Sequence, residues 1–255
     1  MNASKPRTLI LAGEGIHCEQ ETALAFRMAG FEAEIRHLND LITERMTLDE
    51  LSRSYQAFAI PGGASFSHDL LSGKVLALKL SHKLGWNLDV FAERGGVVIG
   101  ISNGFQVLVR MGVFGRDLSI APNSDGRFVD TWIKATPNGN RCIWLKGLGT
   151  LDLPVRHSEG QVIISASRRT EIVGKMERHG MMCLRYEGDT FQSEERLAGI
   201  CDFSGRIFGL MPQPETFLRW TSHPEWTSQT GRATSPGQGL ALFENAYQEV
   251  LRSKG

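Results

Sequence analysis

The chain has 255 residues, 41% of them hydrophobic, and its 28 basic and 28 acidic side chains leave no formal net charge. That length and balance suit a globular chain with room for one large α/β domain or two small ones, and they offer no basic, aromatic-interleaved surface for a nucleic-acid partner. The first apolar run, Thr8–Ala12, is too short for a signal peptide or a membrane span, so a cytoplasmic protein without a membrane partner is expected. Four cysteines at 18, 142, 183 and 201 form no Cys-x-x-Cys pair. Their scatter argues against a disulfide framework and a zinc site, and reduced, mainly buried thiols with no metal and no cofactor are expected.

In chain order the first hundred residues alternate strand and helix. Thr8–Ala12 reads as a strand, Glu19–Ala29 as a helix stopped by Gly30, Glu32–His37 as a second strand and Ala57–Ile60 as a third. Thr47-Leu48-Asp49-Glu50 carries the Thr-x-x-Glu spacing of a capping box, which starts a short helix. Trp86–Glu93 reads as a further helix, closed by Gly95. Such alternation predicts a parallel sheet covered on both faces. Sites in open sheets of this kind form beyond the carboxyl ends of the strands, where strand order reverses.

The stretch Gly95-Gly96-Val97-Val98-Ile99-Gly100-Ile101 predicts a buried strand, and a helix begins at Asn103. Ser102 then sits on a sharp strand-to-helix turn, a nucleophile elbow, with Gly100 and Gly104 removing side chains that would crowd it. An ordinary junction with a serine N-cap is the plainer reading. Three loops are expected to meet at one cleft: Gly13–Cys18, Pro61-Gly62-Gly63, and the Ser102 elbow. The adjacent glycines 62 and 63 suit an anion-stabilising nest of backbone N–H groups, or simply a tight turn.

Beyond the elbow the pattern changes. Phe128–Lys134, Arg141–Leu145 and Met181–Tyr186 read as short β-like runs around Pro154–Gly160, an antiparallel extension of the same domain. Ile200–Met211 reads as a hairpin leading into Pro212-Gln213-Pro214-Glu215. Leu240, Phe243, Ala246, Tyr247, Val250 and Leu251 have the spacing of a helix packed on a core. Thr227–Gly239 reads as a loop.

Taken together, Pro61-Gly62-Gly63, Gly100-Ile101-Ser102-Asn103-Gly104-Phe105-Gln106, Pro154–Gly160 and Gly209–Glu215 resemble, in order, the motifs of class I glutamine amidotransferases. Asn39-Asp40-Leu41, Asn103–Gln106, His157, Glu159 and Arg185-Tyr186 look like the glutaminase subunits of phosphoribosylformylglycinamidine synthase. The resemblance covers nearly the whole chain. It implies one domain over residues 1–255, a three-layer flavodoxin-like α/β sandwich with a central, mostly parallel sheet and a small antiparallel extension. It also implies a subunit that hydrolyses glutamine and passes ammonia to a synthetase partner in purine biosynthesis.

The departures fall on the chemistry. The resemblance places Ser102 where the family has Cys and Gln213 where it has His, and retains the acid as Glu215. The family reaction needs a thiolate nucleophile, a histidine to move the proton and a carboxylate to orient that histidine. A neutral amide at Gln213 does neither half of the proton transfer. Loss of a triad costs on the order of 10⁶ in turnover, so impaired or absent glutaminase activity is expected. Gly62, Gly63, Asn103 and Gln106 occupy positions that help hold glutamine or its oxyanion in the family. His157 and His223 stand as possible supporting residues, with His223 at the surface or structural. Two other readings stay open: a non-catalytic subunit that binds glutamine or docks on a partner, and a serine hydrolase using Ser102, Glu215 and His223 in that chain order.

Overall fold

The structure, a computed structural model, describes residues 5–68, 71–188, 191–228 and 232–253. β1 (Arg7–Ala12) is followed by α1 (Glu19–Ala29) and β2 (Glu32–His37), then by α2 (Leu38–Thr43), α3 (Leu48–Ser54) and β3 (Ala57–Ile60). Next come α4 (Lys74–Leu78), α5 (Leu88–Glu93), β4 (Val97–Ile101) and α6 (Asn103–Met111). The second half carries β5 (Leu118–Pro122), β6 (Val129–Pro137), β7 (Leu151–His157), β8 (Glu159–Ile164), α7 (Arg169–Arg178) and β9 (Leu184–Tyr186). β10 (Leu197–Cys201), β11 (Ile207–Leu210) and α8 (Leu240–Arg252) complete the order.

Among the described residues nine strands form one mixed sheet in the order β2-β1-β3-β4-β11-β10-β9-β6-β7. The pairings from β2 through β11 are parallel, as the strand–helix alternation predicts. From β11 outward they are antiparallel, so the predicted extension continues the same sheet. β5 and β8 pair separately as a small antiparallel ribbon. Every residue of β3 and β4 is buried, which requires packing on both faces and explains their unbroken apolar sequences. Phe26 of α1 and Phe243 of α8 meet edge to face with centroids 5.1 Å apart. Burying each such ring contributes about 2–3 kcal/mol, so this contact is a main anchor of α8. On α8 the apolar stripe points inward except at Leu251, which is exposed, and Tyr247, which is half-buried.

Local chemistry explains the boundaries. The Thr47 hydroxyl accepts from the Glu50 N–H at 3.2 Å while the Glu50 carboxylate accepts from the Thr47 N–H at 2.7 Å, the reciprocal capping box its spacing predicts. The helix expected from Trp86 begins instead at Leu88, because Asn87 caps it by accepting from the Asp89 N–H at 3.0 Å. Trp86 is buried and donates from Nε1 to the Met46 carbonyl at 2.9 Å. Arg141–Leu145 is not a strand: Ile143–Leu145 is a single 3₁₀ turn, and its apolar character buries Trp144 against Phe26 and Phe243. The cysteines scattered along the sequence do not stay apart in space, since Cys142, Cys183 and Cys201 converge. No helix among the described residues is long and apolar enough to cross a membrane.

Candidate active site

Strand order turns at β1, which lies between β2 and β3, and the loops after β1, β3 and β4 open beside this point. Ser102 occupies the turn between β4 and α6 at φ 51° and ψ −107°, and its N–H donates to the Leu210 carbonyl at 2.7 Å. This is an elbow and not a capped helix start, since the Ser102 side chain makes no cap hydrogen bond. The flanking glycines are required. A Cβ on Gly100 would stand 2.6 Å from the Gly104 carbonyl oxygen, and one on Gly104 would overlap the carbonyl oxygen of Ile60.

Four segments meet at Gly62. The space beside its α-carbon, where a Cβ would stand, is 3.5 Å from Ser102 Cβ, 3.7 Å from Cys18 Sγ and 3.7 Å from Gln213 Nε2. Gly63, at φ 145°, lets the turn lie against the Gly15–His17 backbone, with the His17 N–H donating to the Gly62 carbonyl at 3.1 Å. The N–H groups of Gly63 and Asn103 have no protein acceptor among the described residues, which leaves them free to meet an anionic oxygen.

The resulting cleft holds about 450 Å³ and is lined by His17, Cys18, Gly63, Ser102, Gln106, Arg156, His157 and Gln213, among others. Hollows of about 800 and 570 Å³ lie elsewhere, one beside Ile42–Asp49 and one between Leu71–His82 and Val109–Leu118, away from the elbow. The side chains of Asn103 and Glu215 do not line the cleft. Asn103 is buried, accepts from the Ser65 N–H at 3.2 Å and donates to Gln106 Oε1 at 2.7 Å. Gln106 donates in turn to the Glu159 carbonyl at 2.6 Å, so its amide shapes the wall and is already engaged at both ends.

Gln213 follows β11 and is held beside β7 by its N–H, which donates to the Pro154 carbonyl at 2.8 Å. Its side-chain oxygen accepts from Arg156 Nη1 at 3.1 Å, and Arg156 Nε pairs with Asp130 at 3.0 Å. Glu215 lies behind it, fully enclosed, with both carboxyl oxygens lacking a partner among the described residues. Burial raises its pKa to about 8, and the nearby Glu21 adds to the effect, so the group is chiefly protonated at neutral pH. Burial and then the proximity of Glu215 push the Cys18 thiol up to about 12, which makes it an unreactive neutral group.

The two histidines take different places. His157 lines the cleft with Nδ1 2.8 Å from Asn123 Oδ1. Asn123 Nδ2 already donates to the Arg127 and His157 carbonyls, so Oδ1 is the acceptor and the His157 proton is on Nδ1. Burial lowers this imidazole to about 4, and it stays neutral. His223 is buried, not at the surface. Its Nε2 is 3.2 Å from Asp152, its Nδ1 accepts from the Glu225 N–H at 3.1 Å, and the ring stacks on Trp220 with centroids 4.8 Å apart. With both ring nitrogens engaged, it has no free base to offer Ser102.

Arg156 and Asn123 are the site residues that the motifs left unnamed. Arg156 lies inside the Pro154–Gly160 stretch, but its partner is 57 residues away in sequence, and no local spacing links the two.

Residues 5–249 match the CobB/CobQ-like glutamine amidotransferase domain. A subunit PurQ of phosphoribosylformylglycinamidine synthase from Dehalococcoides mccartyi is 37% identical, over 96% of this chain and 98% of that one. The corresponding subunit from Methanococcus maripaludis is 32% identical, over 95% of this chain and 97% of its own length. A chain in the solved structure of PurLQS from Thermotoga maritima superposes with a TM-score of 0.74 at 26% identity, covering 99% of this chain and all of that one.

Proposed function

Because the chain belongs to the CobB/CobQ-like glutamine amidotransferase family, we propose that it is the glutamine-handling subunit of a phosphoribosylformylglycinamidine synthase in which this chain's own hydrolytic step is impaired. The likeness to PurQ subunits over nearly the full length supports the first part, with glutamine as ligand and a synthetase subunit as partner in purine biosynthesis. Residues 1–255 act as one domain, in the cytoplasm.

One observation carries the second part: the amide of Gln213, bonded to Arg156, sits where a base must face Ser102, and Glu215 behind it has nothing to orient. An attack by Ser102 on the glutamine side-chain amide needs a base to take the hydroxyl proton and an acid to deliver it to departing ammonia. Gln213 supplies neither, and Cys18 and His223 do not replace it. What persists is the pair of free N–H groups at Gly63 and Asn103 and the walled cleft, which suit binding of a carboxamide or of an anionic oxygen. The test is ammonia release from glutamine by the pure chain, alone and with a synthetase subunit. Turnover at the level of an intact family triad would overturn the impaired reading.

The free N–H groups also favour a second reading, a subunit that binds glutamine or docks on its partner without turnover. Calorimetry at millimolar glutamine distinguishes it, since absence of heat would leave docking alone.

A further inference from the structure

Away from the cleft, three thiols meet that glutamine chemistry does not use. Cys142 precedes the 3₁₀ turn at Ile143–Leu145, Cys183 precedes β9 and Cys201 ends β10. The fold brings them together by specific bonds. The N–H groups of Cys183 and Cys201 both donate to the Met181 carbonyl, at 2.9 and 3.0 Å, and the Ile143 N–H donates to the Gly205 carbonyl at 3.0 Å. The three Sγ atoms lie within 4.8 Å of one another, and none of these residues is more than 3% exposed.

We infer that Cys142, Cys183 and Cys201 form a binding site for a soft, thiophilic d¹⁰ metal ion, with monovalent copper the best match. Sulfurs bound at about 2.3 Å to one ion stand about 4 Å apart in a trigonal plane, so small side-chain rotations close the triangle. Thiolates select copper(I) and zinc among common metals, whereas magnesium and calcium demand oxygen. No fourth His, Cys, Asp or Glu joins the cluster among the described residues. Zinc in a structural site takes four ligands. A three-sulfur, dry site without a fourth side chain therefore favours the ion that accepts three. Binding exchanges thiol protons for the metal, the protons leave to solvent, and no electron is transferred when copper is supplied as Cu⁺.

The test titrates the full chain, purified under reducing conditions, with Cu⁺ held by a chromophoric chelator and, separately, with Zn²⁺. One Cu⁺ per chain is expected, bound more tightly than Zn²⁺ and undiminished in Cys18→Ser. Removing a hydrogen-bond partner of a metal ligand typically costs about 10- to 100-fold in affinity, and Cys183→Ala, which removes a ligand itself, should cost at least that. Wild-type protein supplies readouts that do not depend on a variant folding: Cu⁺ should raise its unfolding midpoint, and X-ray absorption should count three sulfur neighbours around copper. No retained copper, nitrogen or oxygen neighbours in place of sulfur, or loss of binding in Cys18→Ser would each overturn the site. Tighter zinc than copper would overturn the three-coordinate assignment.

Discussion

Arg156 on β7 donates from Nη1 to the side-chain oxygen of Gln213, 3.1 Å away. The bond fixes which end of the amide faces the guanidinium and turns Nε2 toward the space beside Gly62, where Ser102 also stands. A cation thus holds the Gln213 side chain in place, and a histidine put there would be discouraged from gaining a proton.

The first prediction follows from this geometry. Ser102→Cys restores a nucleophile with no base, and Gln213→His restores a base beside a weak nucleophile, so each alone should recover little glutaminase activity. The double variant should gain far more than the product of the singles, within the span of about 10⁶ that separates an intact triad from none. Ammonia release should be measured for all four proteins with a synthetase subunit present. Additive single effects would show that the site has changed beyond these two positions.

Glu215 predicts a pH dependence of stability. Its carboxyl is raised to about 8 in the fold from an ordinary 4.5. Below the lower value both states hold the proton and the group contributes nothing. Between the two values the unfolded chain loses the proton while the folded chain keeps it, so stability falls as pH rises through this window and levels off above it. Glu215→Gln removes the titration. Relative to wild type it should gain stability on the order of a few kcal/mol between about pH 5 and pH 8, and parallel denaturation curves across that range would count against the assignment.

Gly104 predicts a steric limit. A methyl group there meets the Ile60 carbonyl oxygen, a backbone atom that cannot rotate away. Gly104→Ala should destabilise by about 3 kcal/mol or more. Gly149→Ala, where a Cβ meets nothing within 4 Å, should stay within about 0.5 kcal/mol of wild type. Urea midpoints for the two variants check the contrast, and equal midpoints would contradict it.

Cys18 predicts slow alkylation despite its place on the cleft wall. With its thiol near 12, the thiolate fraction at pH 8 is on the order of 10⁻⁴, and iodoacetamide should modify it about a thousandfold more slowly than free cysteine. Peptide mapping after timed labelling measures this rate, and labelling as fast as free cysteine would mean that the thiol is charged.

The parallel half of the sheet, the Thr47 cap and the Ser102 elbow were legible in the sequence because each depends on neighbours within a few positions: buried apolar runs, a Thr-x-x-Glu spacing, glycines two residues either side of a serine. The convergence on Gly62 was legible one step further on, since parallel strands send their loops to the same edge. Trp144 was not, because an apolar run destined for a single 3₁₀ turn under α1 and α8 has the composition of a strand. The cysteine cluster and the Arg156–Gln213 bond were hidden for another reason. Both join residues from distant segments, 57 positions apart for the latter, and only the pairing of β7, β9, β10 and β11 decides that they meet. Of the two places the sequence left open for His223, surface or structural, it takes the structural one, enclosed by Trp220 and Asp152.

The backbone at Ser102 has one further consequence. Its dihedrals, 51° and −107°, mirror a conformation that an L residue adopts freely with both signs reversed, so only an achiral residue rests there without penalty. The turn is a spring kept wound by the ladders on either side, and a tension of about 1–3 kcal/mol is typical of such residues. In an active hydrolase that tension aims a nucleophile. In this chain the same tension is stored under the Ser102 hydroxyl, and relaxing the spring by Ser102→Gly should yield a more stable protein with the same cleft, read as a higher urea midpoint.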